Sequence, residues 1–210
     1  MIGSDFTLRN ERRDFVEWHR GRAPYVLWAL DLDLPPVRAR VAAAARHLDG
    51  LLLDGYRRQP HLTLSLRGFP AGAAPADDEH TAAGLAADLA ALRAAAPAPF
   101  GCRLGGLDSF PSAPFLAVDD PDDGISALRR CLPGVDYPGF CYVPHVTVGL
   151  YAGAWPAADV RRRLAAWDGG AALACTVGAV SLLAYEPSDI GGPLRCLGRF
   201  CLASRTWTGD

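Results

Sequence analysis

The sequence predicts one domain in which strands and helices alternate, built as two similar lobes facing each other across a central cleft. Two observations carry that expectation. The tetrads His61-Leu62-Thr63-Leu64 and His145-Val146-Thr147-Val148 each lie inside an apolar run. Around them, the order strand, helix, His-x-Thr strand, helix, strand occurs twice, although no residue-level repeat is visible.

Residues 1–24 form a charged N-terminal arm, read as solvated, with a short helix packed by Phe15 and Trp18. Residues 25–204 form the bilobal domain. Its first unit opens with an apolar strand over residues 25–32. A helix over 35–51 follows, with proline in its first turn and a stripe of Val37, Val41, Ala44, Ala45 and Leu48. The His61 strand comes next, then a helix over 77–95 and a strand over 100–107. The second unit repeats the order. It has a strand over 113–118, a helix over 124–131, the His145 strand, a helix over 155–167 and a strand over 172–184. A last apolar segment, 194–202, adds an edge strand.

A β-strand turns successive side chains to opposite faces, so His61 and Thr63 share one face while Leu62 and Leu64 share the other. The same parity pairs His145 with Thr147. Each strand can bury its aliphatic side and present an imidazole and a hydroxyl to the cleft. One such tetrad alone reads as a structural histidine; two in matching contexts point to chemistry. Two facing imidazoles are a general base and a general acid for one substrate. The paired hydroxyls can donate to phosphate oxygens between them. Continued along the strands, parity brings Ser65 and Gly149, both small, and then Arg67 and Tyr151 to the cleft side. Arg67 would hold a second phosphate or a ribose-linked anion, and Tyr151 would stack on a base. Arg58, in the run Arg57-Arg58-Gln59, would make the rim electropositive.

The two tetrads, the proline before each histidine (Pro60 and Pro144) and the closing run VSLLAYEPSDIGGPLRCLGRFCL resemble the 2H phosphoesterase superfamily. That group contains the bacterial 2′-5′ RNA ligase-like proteins and the cyclic nucleotide phosphodiesterases. The resemblance covers residues 25–202. It implies an α+β fold, bilobal and pseudo-twofold, with two antiparallel-rich sheets flanking the cleft and helices outside. By position it makes His61 and His145 the catalytic pair and Thr63 and Thr147 the phosphate clamps. It further implies hydrolysis of a cyclic phosphodiester, a 2′,3′-cyclic phosphate on a nucleotide or RNA end, giving a 2′-phosphate without metal or other cofactor. Reversible 2′-5′ ligation, hydrolysis of ADP-ribose cyclic phosphate, and nucleotide or RNA binding without catalysis are the alternatives. Leu150 stands five positions after His145, where many such relatives carry a basic residue, which weighs against ligation.

With 210 residues, 50% hydrophobic, the chain can bury the core of one domain. A net charge of −2 argues against coating long nucleic acid but permits a nucleotide or RNA terminus held by local positive groups. There is no Gly-x-Ser-x-Gly elbow, and neither histidine has a third ligand at metal spacing. The aspartates of 119–123 read as a solvated turn rather than a calcium loop. The six cysteines show no redox spacing and read as reduced core residues. With no signal sequence and no membrane-length apolar run, the sequence reads as a cytoplasmic monomer with no membrane partner.

Overall fold

The computed structural model describes residues 5–72, 76–132, 134 and 141–209. The chain runs α1 (Val16–His19), β1 (Tyr25–Asp31), α2 (Pro35–His47), β2 (His61–Pro70), β3 (Glu79–His80), α3 (Ala82–Ala95), β4 (Phe100–Ser109) and β5 (Pro114–Asp119). It continues with α4 (Gly124–Cys131), β6 (His145–Thr147), α5 (Ala157–Ala165), β7 (Leu173–Val177), β8 (Ala179–Tyr185), β9 (Arg195–Cys201) and β10 (Trp207–Gly209). Local chemistry starts the helices where it should. Pro35 and Pro36 occupy the first turn of α2, where a missing N–H costs nothing. The Thr81 side chain accepts from Gly84 N at the head of α3. Asp120 accepts from Ile125 N and Ser126 N, both at 3.1 Å, so this aspartate of the acidic turn caps α4. No described helix is long and apolar enough to cross a membrane.

The fold is α+β with two antiparallel-rich sheets, in the orders β10-β9-β8-β1-β2-β3 and β6-β5-β4-β7. Among the described strands, only β2 and β3 pair in parallel. The sequence repeat and the sheets do not coincide. β4, which closes the first repeat, pairs with β5 and β7 in the second sheet. The segment expected as one strand over 172–184 is interrupted at Gly178, and its halves part company. β7 stays in the second sheet, whereas β8 pairs with β1 in the first. Each lobe therefore borrows a strand from the other repeat. The segment expected at the sheet edge, β9, lies inside it, because β10 pairs outside it. The N-terminal arm is anchored rather than solvated: Thr7, Leu8 and Asn10 donate backbone N–H bonds to Trp155, Pro111 and Tyr151 at 2.7–2.9 Å.

One continuous core unites the lobes. Trp28, Leu30, Leu62 and Leu64 of the first sheet share it with Leu104, Leu116 and Val146 of the second. A buried polar cluster sits at its margin. The Asp88 carboxylate of α3 accepts from Trp28 Nε1 at 2.8 Å and pairs with the Arg67 guanidinium. Removing one member of such a pair leaves an uncompensated buried charge, which costs about 3–5 kcal/mol. Asp88→Ala should therefore lower unfolding free energy by about that much in denaturant titration, and a change under about 1 kcal/mol would show that the cluster contributes little.

Candidate active site

The two histidines are mounted by the same local device. In each motif, a proline lies between the histidine and the carbonyl that its ring engages. His61 Nδ1 donates to Gln59 O at 2.8 Å, and His145 Nδ1 donates to Val143 O at 2.7 Å. The carbonyls of the prolines between are also used in parallel ways: Leu32 N donates to Pro60 O and Val118 N to Pro144 O, both at 3.1 Å. With Nδ1 holding the proton, each neutral imidazole keeps Nε2 as its acceptor. The cross-strand partners complete the likeness, with His61 opposite Asp31 and Thr63 opposite Ala29. In the other sheet His145 faces Ala117 and Thr147 faces Phe115.

The two strands meet. Cα atoms of β2 and β6 come within 8 Å of each other. Contacts from the second lobe hold β2 there: Tyr142 Oη donates to Thr63 O at 2.9 Å, and the Arg129 guanidinium bonds Leu64 O. Arg129 also lies over the Tyr142 ring at 3.5 Å. Sequence reasoning misses both residues, and nothing in their local pattern marks them, because their partners lie 65 and 79 residues away.

Burial depresses the proton affinity of both imidazoles. His61 is pushed down to about 4, chiefly by desolvation, partly offset by its bond to Gln59. The positive charges of Arg58 and His145 push it the same way. His145 is also lowered by burial, partly offset by its bond to Val143. Its ring instead packs edge-on to Phe110, with centroids 4.8 Å apart, and against Phe115 at 5.4 Å. The pair is thus alike in geometry and unlike in surroundings, charged beside His61 and aromatic beside His145.

Three expected cleft residues lie elsewhere. Register shifts in the β1–β2 ladder leave Leu64 unpaired, so Ala29 faces Thr63 but Trp28 faces Ser65. This bulge flips parity. Ser65 joins Trp28 on the core side, 5% exposed, where the Gly134 backbone covers it. Arg67 is the extra residue of a second bulge, between Leu66 and Gly68, and pairs with Asp88 instead of reaching the cleft. Tyr151 is fully buried, with its hydroxyl 2.7 Å from Ser109 Oγ, because β6 ends at Thr147 and parity no longer applies beyond it. Arg58 does lie close enough to act on His61, held by the carbonyls of Ile190 at 2.9 Å and Gly192 at 3.4 Å.

A histidine with its proton affinity lowered by folding binds fewer protons folded than unfolded, so stability is present above pH 6.5 and is lost as pH falls toward 4. For His61 the loss amounts to about 2–3 kcal/mol. His61→Asn should therefore show a shallower fall in Tm between about pH 6.5 and 4.5 than the parent chain. Identical slopes would mean that the imidazole is not desolvated.

A profile of the 2′-5′ RNA ligase superfamily matches residues 31–189. Among proteins of curated function no sequence matches. Among solved structures, TT0787 of Thermus thermophilus superposes with a TM-score of 0.51 at 20% identity, over 85% of this chain and 97% of that one. LigT of E. coli in apo form superposes at 0.51 and 16% identity, over 86% and 98%. LigT complexed with 3′-AMP superposes at 0.53 and 18%, over 85% and 98%. These likenesses concern the fold, whereas the family match spans most of the chain, both His-x-Thr tetrads included. The chain belongs to the 2′-5′ RNA ligase superfamily, in keeping with the 2H phosphoesterases it resembles.

Proposed function

We propose that this protein hydrolyses a 2′,3′-cyclic phosphate on a nucleotide or RNA end by general acid–base catalysis between His61 and His145, giving a 2′-phosphate. One observation carries the reading: two imidazoles on equivalent, adjoining strands, each with Nδ1 committed to a main-chain carbonyl and Nε2 left to act. A five-membered cyclic phosphodiester needs a deprotonated water and a protonated leaving oxygen, and two histidines in opposite protonation states supply both. Thr63 and Thr147 share the histidine faces and would donate to the non-bridging oxygens.

The unlike surroundings divide the labour. Arg58 opposes a proton on His61, so His61 is the base and His145 the acid. Water attacks phosphorus as its proton passes to His61 Nε2. The bond from phosphorus to the 3′ oxygen breaks as His145 Nε2 delivers its proton there. The products are a phosphomonoester, a charged His61 and a neutral His145, and one proton exchange with solvent restores the pair. The LigT structure that holds 3′-AMP makes nucleoside monophosphates suitable probes of the bound state.

Turnover of nucleoside 2′,3′-cyclic phosphates should persist in EDTA and fall at least about a hundredfold in His61→Ala and His145→Ala, measured with chromatographic resolution of the isomers formed. Full loss of activity in EDTA, or wild-type rates in either variant, would overturn the two-histidine mechanism. The profile of kcat/KM should be bell-shaped, because one histidine must be neutral and the other charged. Its maximum should lie on the acid side of neutrality, between about 4, set by His61, and 6.5, below which His145 is held. A rate rising monotonically into the alkaline range contradicts the assignment.

A further inference from the structure

Strand parity assigns base stacking to Tyr151, but the fold buries that ring in the core. A different set of rings is available. A cavity of about 250 Å³ is lined by Phe15, Trp18, Arg58, Tyr185, Pro187 and Ile190. Phe15 and Trp18 come from the N-terminal arm, outside the residues that match the family profile. The other walls come from the segment before His61, from the end of β8 and from the loop that leaves it.

The arm is fixed firmly enough to serve as a wall. The buried His19 ring contacts the Asp14 carboxylate through Nε2 and accepts Gly21 N–H at 3.0 Å through Nδ1. Arg22 forks onto both oxygens of Asp78, at 2.9 and 2.8 Å, and lies over the Phe69 ring at 4.1 Å. Between these anchors Trp18 packs on Tyr25 and Phe69, with centroids 5.2 and 5.5 Å apart, yet remains 39% exposed. Across the cavity the Arg58 guanidinium lies over the Tyr185 ring at 4.2 Å. Arg58 is three residues before His61 and its charge reaches that imidazole, so a single side chain joins the cavity to the acid–base pair.

The lining chemistry suits a flat, aromatic occupant. It offers planar rings, a planar cation and two aliphatic side chains, with no carboxylate among the described lining residues. Nucleobases are held in this way, by stacking on aromatic rings and guanidinium planes. A phosphate placed between the histidines and a base placed here would flank the positive charge of Arg58, which complements an anionic nucleotide. We propose that this cavity receives the nucleobase of the substrate, with Trp18 of the N-terminal arm as its stacking surface. The proposal rests on the phosphodiesterase reading above and assigns it a specificity element that lies outside the family match.

The test compares two substrates, adenosine 2′,3′-cyclic phosphate and the base-free glycerol 1,2-cyclic phosphate, by the ratio of their kcat/KM values. Trp18→Ala should lower that ratio about tenfold, within the range of one base–aromatic stack, mainly through KM for the adenosine substrate. Trp18→Phe, which keeps a ring and its packing, should restore most of the ratio. Ile190→Trp, which fills the cavity instead of emptying it, should lower the ratio as well. An unchanged ratio in both Trp18→Ala and Ile190→Trp overturns the proposal, as does an equal loss on the two substrates. If the wild-type chain turns over neither substrate, the hydrolytic reading falls and calorimetric titration with adenosine 2′-monophosphate decides the cavity separately. Binding weakened about tenfold by Trp18→Ala then supports the base site, and unaltered binding overturns it.

Discussion

The contact on which the rest of the site depends is the grip of the second lobe on β2. Tyr142 donates to the Thr63 carbonyl and Arg129 to the Leu64 carbonyl. Both carbonyls take donors from outside the first sheet; such backbone acceptors would otherwise look for water or a further strand. By supplying donors from α4 and from the approach to β6, the fold joins the first sheet to the second at that point. The histidine strands then adjoin each other, and the imidazoles come close enough for His61 to feel the charge of His145.

Within the joined strands a repeated backbone device does the aiming. A carbonyl two residues before each histidine accepts a hydrogen bond from its Nδ1, and the intervening proline restricts the chain that presents it. Repetition yields equivalent ring orientations, whereas acid–base chemistry needs different proton affinities. The difference comes from outside the repeat. His61 has Arg58 in its vicinity, and His145 has the rings of Phe110 and Phe115. Geometry is shared and electrostatics is not, so one pseudo-symmetric frame holds two imidazoles in unlike surroundings.

The far side of the same strand shows how polar residues near a site become structural. A bulge at Leu64 turns Ser65 onto the core face, and a second bulge sends Arg67 to Asp88. The resulting Trp28–Asp88–Arg67 cluster links β1, α3 and β2 through one carboxylate. Asp88 accepts from Trp28 and balances the Arg67 charge close to the core, where a lone charge would be costly. The two ends of β2 thus differ, with the candidate site at His61 and Thr63 and the Asp88 anchor at Arg67.

Much of this is legible in the chain alone. The alternation of apolar and polar residues in the two tetrads places His61 with Thr63 and His145 with Thr147, because strand parity is a local property that the backbone enforces over a few residues. Proline and apolar periodicity likewise place α2, α4 and the body of α5, since caps and periods act over one or two turns. Parity fails beyond Thr63 and Thr147, where a bulge and a strand end interrupt it, and neither leaves a mark in side-chain pattern alone. Nor does the sequence show that β4 and β8 exchange sheets, that the N-terminal arm is pinned against both lobes, or that Arg129 and Tyr142 hold β2. Each of those depends on contacts between residues far apart in the chain. Local sequence therefore determined which side chains share the candidate site and which way they face. Only the tertiary structure decided which strands adjoin and what surrounds each imidazole, because pairing and burial are set by the whole packed chain.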